Sequence, residues 1–138
     1  LSLTYITKPC DAVNQSESIM ISDLPMFQVL GAMARHAAES QKVSATNIAH
    51  ADDPGYKAAR IESFEAFMAR AASGSEHDGM ASNFKTLLAD TQAKPNGNTV
   101  SLEQELFSSA EAMGQHNLAL TAYTKTLDLL RTAMGKGR

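Results

Sequence analysis

The sequence predicts an all-α protein whose two long terminal helices form an antiparallel, coiled-coil-like hairpin. Three observations carry that expectation. Apolar and small residues recur in steps of three and four from Leu24 to Ala49, the period of one helix face. A second row keeps a strict 4-3 alternation from Leu102 to Met134. Between them lie a Pro-Gly turn, a short extended and amphipathic segment, and a stretch of turn-forming residues expected to be a flexible central loop.

Residues 1–21 show no sustained period, and Lys8-Pro9 and the polar run Asn14 to Ser18 interrupt them. They are expected to be a disordered N-terminal extension, with Met20 as the natural start. Residues 22–138 are expected to be a single helical domain. The N-terminal helix, residues 24–49, takes Ser22 or Asp23 as its cap and Pro25 in its first turn, where a missing N–H has no partner to lose. Phe27, Leu30, Ala34, Ala37, Gln41, Ser44 and Ile48 make its stripe. The stripe starts bulky and becomes small and polar, so the helix, ~39 Å long, needs a neighbour to hold it.

Its end is sharply specified. Pro54 turns Asp53 away from helical geometry, and Pro54-Gly55 is the preferred central pair of a type II turn. Residues 50–98 then hold the turn, an extended stretch from Tyr56 to Ile61, an amphipathic piece from Glu62 to Ala72, and the loop. One apolar cluster, Phe84, Leu87 and Leu88, leaves room for a short helix in that loop.

The C-terminal helix, residues 101–134, carries the clearest period. Leu102, Leu106, Ser109, Met113, His116, Leu120, Tyr123, Leu127, Leu130 and Met134 form a seam of about four and a half heptads. Ser101 is placed to cap it, Glu103 and Glu105 suit the first turn, and Arg131 and Lys136 suit the last. Gly135 and Gly137 stop it. Gly114, in its interior, costs about 1 kcal/mol relative to Ala and marks a close helix contact.

Composition narrows the function classes. The 138 residues carry a net charge of −3, with acidic and basic side chains interspersed, so no basic stripe for nucleic acid is present. A single cysteine, Cys10, excludes an internal disulfide. The chain contains neither an apolar run long enough to span a membrane nor the pattern of a cleavable secretory signal. His36, His50, His77 and His116 are scattered among carboxylates at no recognised metal or acid–base spacing. No phosphate loop or nucleophile elbow appears. The expectation is a non-enzymatic protein without cofactor or metal that works by assembly. A soluble helical binding module, such as a secretion chaperone or adaptor, is the alternative.

The stretch Thr46 to Lys57 resembles the signature of the flagellar basal-body rod protein family, A-N-N-I-A-N-x-x-T-P-G-Y-K, through Asn47, Ile48, Ala49, Pro54, Gly55, Tyr56 and Lys57. Gly97 to Glu103, followed by a long helix, is similar to the G-N-x-V-D-x-x-x-E opening of the family's FlgB branch. His50, Asp53, Ser101 and His116 depart from the family pattern. The resemblance implies a rod-type domain and a structural subunit of the proximal rod, in the periplasmic part of the flagellar basal body. Its implied partners are other copies of itself, FlgC, FlgF, FlgG, FliE and the MS ring. It implies export by the flagellar type III apparatus without a cleavable signal. The expected assembly interface comprises Asn47, Ile48, Pro54, Gly55, Tyr56 and Lys57 at the turn, with Leu106, Met113, Leu120, Tyr123, Leu127 and Leu130 on the C-terminal helix.

Overall fold

The structure, a computed structural model, describes residues 24–74 and 83–135. The N-terminal extension, Cys10, the Ser22 or Asp23 cap, His77 and the last basic residues lie outside the described residues.

Helix α1 runs over Pro25–Ala49, and Pro25 occupies its first turn as expected. Its cap position is Leu24, which has no side-chain oxygen to offer, and whose carbonyl accepts from the Phe27 and Gln28 N–H groups at 2.9 and 3.2 Å. Strand β1 spans Ala59–Ile61, helix α2 Phe64–Ala72, strand β2 Thr86–Leu88 and helix α3 Leu102–Ala133. The protein is mainly helical, with a long C-terminal helix. A short ribbon adds to the helices: β1 and β2 pair antiparallel with Ala59 opposite Leu88, Arg60 opposite Leu87 and Ile61 opposite Thr86. The stretch from Tyr56 to Ile61 leaves a row of backbone groups needing partners. Leu87 and Leu88 supply a strand instead of the short helix allowed for this loop.

Helices α1 and α3 lie against each other and run in opposite directions. The Phe27 ring meets Tyr123 edge-on at 4.9 Å, His116 Nδ1–H donates to the Ala34 carbonyl at 3.1 Å, and Asn47 Nδ2 donates to Glu105 Oε1 at 3.0 Å. The seam residues divide between a covered half and an exposed half. In the C-terminal half of α3, Tyr123, Leu127 and Leu130 are partly covered, and Tyr123 meets Phe27 near the start of α1. In the N-terminal half the helix is turned by about one residue, ~100°. Glu105, Ala112 and Ala119 are buried there, while Leu102, Leu106, Met113 and Leu120 stay exposed. The reason is size. α1 offers Ala37 and Ser44 along this half, and the small Ala112 and Ala119 let the backbones approach, while Glu105 is held there by Asn47.

Ser101 stands at the cap position of α3, but its side chain makes no capping bond. Helix α2 is better started: Ser63 Oγ accepts from the Ala66 N–H at 3.2 Å. It buries Phe67 completely within an aromatic cluster in which Phe84 lies 4.7 Å from Phe67 and 5.1 Å from His36.

Candidate functional site

The end of α1 is built around Asn47, which is buried. Its Oδ1 accepts from the Ala59 N–H at 3.0 Å and from the Tyr56 hydroxyl at 3.3 Å. Its Nδ2 donates to the Ala59 carbonyl at 2.7 Å and to Glu105. Every hydrogen-bonding position of the amide is used. One side chain therefore ties α1 to β1, the turn and α3.

Beyond it the chain makes the expected turn. Gly55 has φ +74°, and the Tyr56 N–H reaches the Asp53 carbonyl at 3.4 Å, the pattern of a Pro-Gly type II turn. A second turn seats it. The Gly97 N–H donates to the Lys94 carbonyl at 2.8 Å and the Lys94 N–H to the Asn98 carbonyl at 2.7 Å. Gly97, at φ +80°, closes this three-residue loop. The Gly55 N–H donates to the Asn96 carbonyl at 3.0 Å, and a Cβ on Gly97 would stand 3.4 Å from Gly55 Cα. Two glycines let the turns touch.

Asn98, fully buried, is the other clasp. Its Nδ2 donates to the carbonyls of His50 at 2.9 Å and Asp53 at 2.7 Å, and its Oδ1 accepts from the Val100 N–H at 2.7 Å. The Ala58 N–H donates to Thr99 Oγ1 at 2.8 Å. Ala51, Ala58 and Val100 form the small apolar centre of this elbow, with Tyr56 packed on it. His50 stacks on Tyr56 at 4.7 Å, and its Nε2 lies 4.0 Å from Asp53. The two turn residues that depart from the rod signature therefore face each other.

The expected interface residues fall into different places. Asn47 is committed within the chain and offers nothing to a partner. Tyr56 is half-buried and bonded to Asn47, and Ile48 is half-buried. Pro54, Gly55 and Lys57 are exposed, with Lys57 Nζ reaching the Gly97 carbonyl at 3.1 Å. On α3, Leu106, Met113 and Leu120 are 62%, 52% and 47% exposed, whereas Tyr123, Leu127 and Leu130 are partly covered.

Three groups escaped the sequence reading. Asn98 stands in the Gly97 to Glu103 stretch, where its neighbours in sequence give no sign of its partners. His36, three turns before Asn47 on α1, donates from Nε2–H to the Glu62 carbonyl at 2.8 Å. Glu62 pairs with Arg70, both nearly buried, and accepts from the Lys85 N–H at 2.9 Å. The Arg70 guanidinium beside it, above all through its hydrogen bond, holds the carboxyl below its ordinary range against the opposing effect of burial. No periodicity rule links residues eight apart across a cap.

A groove of about 260 Å³ opens between α1, β1 and α3, with Ser40, Arg60, Glu111 and Gln115 among its walls. The described residues contain no group of three or more His, Cys, Asp or Glu able to hold a metal. None of their helices is long and apolar enough to cross a membrane. Each described histidine has a ring nitrogen bonded to a backbone carbonyl.

Fold and site together define a mainly helical protein with a rigid, hydrogen-bonded elbow and a long helix that leaves apolar rows uncovered. No family model matches the chain, and no curated protein matches it.

Proposed function

We propose that the chain is a structural subunit of the proximal rod of the bacterial flagellum. In this reading α1 and α3 act as a coiled-coil-like hairpin that packs into a tube with other copies of the chain and with FlgC, FlgF, FlgG and FliE above the MS ring. The observation that carries it is the outer row Leu102, Leu106, Met113 and Leu120, left exposed on a helix anchored to a signature-like elbow. A helix with apolar residues beyond its intramolecular seam gains stability by burying them, at about 25 cal/mol per Å². A contact between unlike faces, repeated about an axis, yields a filament.

The elbow has the rigidity that a torque-bearing part needs. Asn47 and Asn98 fix the angle between α1 and the following segment through backbone bonds, so load on one helix reaches the other without a free hinge. The experiment is fractionation of hook–basal bodies from the bacterium carrying the gene, with a swimming assay of the deletion strain. The rod reading expects the chain in the basal-body fraction and a non-swimming deletion. A chaperone or adaptor, the other reading, stays in the cytoplasm and is absent from that fraction.

A further inference from the structure

The face of α3 turned away from α1 is covered by nothing in the described chain. Phe107, 72% exposed, and Leu118, 62% exposed, stand on it. Between them is Gly114, where an added Cβ would meet no atom within 4 Å. A glycine inside an exposed helix lowers helix stability, and no contact within the described chain accounts for it. A second backbone passing close to Gly114 does.

The residues around that glycine say which backbone. On a helix, residues 103, 107, 110, 114, 118, 121 and 125 share one stripe, opposite the buried Ala112 and Ala119, and all seven are exposed. Their steps are 4-3-4 on either side of Gly114, so the row has the same spacing in both directions. Its chemistry is self-complementary. Reversed upon itself about Gly114, the row sets Glu103 against Lys125, Phe107 against the smaller Thr121, and Leu118 against Ala110. Neither Glu103 nor Lys125 forms an ion pair among the described residues. A parallel arrangement would instead oppose Glu103 to Glu103 and Lys125 to Lys125.

We propose that the chain pairs with a second copy of itself through this outer face, antiparallel, about a two-fold axis at Gly114. The contact spans ~33 Å of helix from residue 103 to 125. It is isologous, so each complementary pair occurs twice. Large residues meet small ones on both sides, and the two glycines allow close approach at the centre. This pairing uses a different face from the Leu106–Met113–Leu120 row and does not rest on the rod reading.

The test is sedimentation velocity of the full chain over a concentration series, with far-UV circular dichroism to show that each variant keeps its helices. A monomer–dimer equilibrium is expected. Glu103→Lys and Lys125→Glu each oppose like charges twice per dimer and weaken it by about tenfold. The double variant, with the charges exchanged, restores it. Gly114→Cys in a Cys10→Ser background forms a disulfide between the two copies under oxidation. A chain that stays monomeric throughout overturns the proposal. So does a dimer that ignores both charge reversals and forms no 114–114 disulfide. Normal swimming by a chain that never dimerises defeats this pairing and leaves the rod reading standing.

Discussion

The side-chain amide of Asn47 closes both backbone groups of Ala59, accepting from its N–H at 3.0 Å and donating to its carbonyl at 2.7 Å. It takes the place that a third strand would fill along the outer edge of β1. His36, three helical turns earlier, does the same for the Glu62 carbonyl. The ribbon is thus held to α1 by two polar side chains on one stripe, where small residues alone would bury little area.

Replacing Asn47 by Ala strips partners from the Ala59 N–H and carbonyl and from Glu105. Each buried polar group left unsatisfied costs about 1–3 kcal/mol, so a total loss of about 3 kcal/mol is expected. A urea titration of the purified chain measures it as a lower midpoint. A midpoint equal to wild type shows that water replaces the amide and that the elbow does not depend on it.

The turn gives a prediction with a separate readout. Gly55 sits at φ +74°, a region that costs an L-residue ~1–2 kcal/mol and a β-branched one more. In the rod reading, Gly55→Val is expected to abolish swimming in the complemented deletion strain. Pro54→Ala, which permits the same turn, is expected to preserve it. Swimming by the Gly55→Val strain sinks the elbow's role in assembly.

Much of this was legible in the chain. The ends of α1 and α3 and the glycine turn follow from Pro25, Pro54-Gly55 and Gly135, because local sterics at such residues overrule most tertiary influence. The ribbon was not legible. Three-residue strands carry too little alternation, and β2 pairs with a segment far away in sequence. How the seam divides between α1 and open surface was not legible, because a 4-3 row records apolar residues without saying which partner covers them. In α3 two rows at seven-residue spacing run side by side: Glu105, Ala112 and Ala119 inward, Leu106, Met113 and Leu120 outward. Asn47 and Asn98 stood within recognised motifs, yet their hydrogen-bond partners lie up to 58 residues away, beyond any local rule.

Glu62 and Arg70 tie stability to acid. The carboxyl is held below its ordinary value of 4.5, chiefly by the hydrogen bond from Arg70. A depressed folded-state value means that the unfolded chain takes up the proton first. The pair's contribution is complete above the ordinary carboxylate range and is lost as pH falls through the lower, folded value. Arg70→Met is expected to remove about 2 kcal/mol at neutral pH and to flatten the stability loss between neutral pH and the acid range. Urea midpoints at a series of pH values measure both effects. An unchanged acid slope assigns the loss to other carboxylates.

The outer row of α3 separates folding from assembly. Leu106, Met113 and Leu120 are 62%, 52% and 47% exposed, so replacing all three by Ser removes little intramolecular packing and is expected to change the unfolding free energy by about 0.5 kcal/mol per site. In the rod reading the same three residues are covered by neighbouring subunits. Their loss then removes buried apolar area from every contact along the tube, and the strain carrying the triple variant is expected not to swim, with the chain missing from its basal-body fraction. Tyr123→Ser provides the opposite pattern, because its ring packs on Phe27 and its loss lowers the urea midpoint directly. A triple variant that is folded and fully motile assigns the row to solvent and leaves the assembly surface to the turn at Pro54 and Lys57.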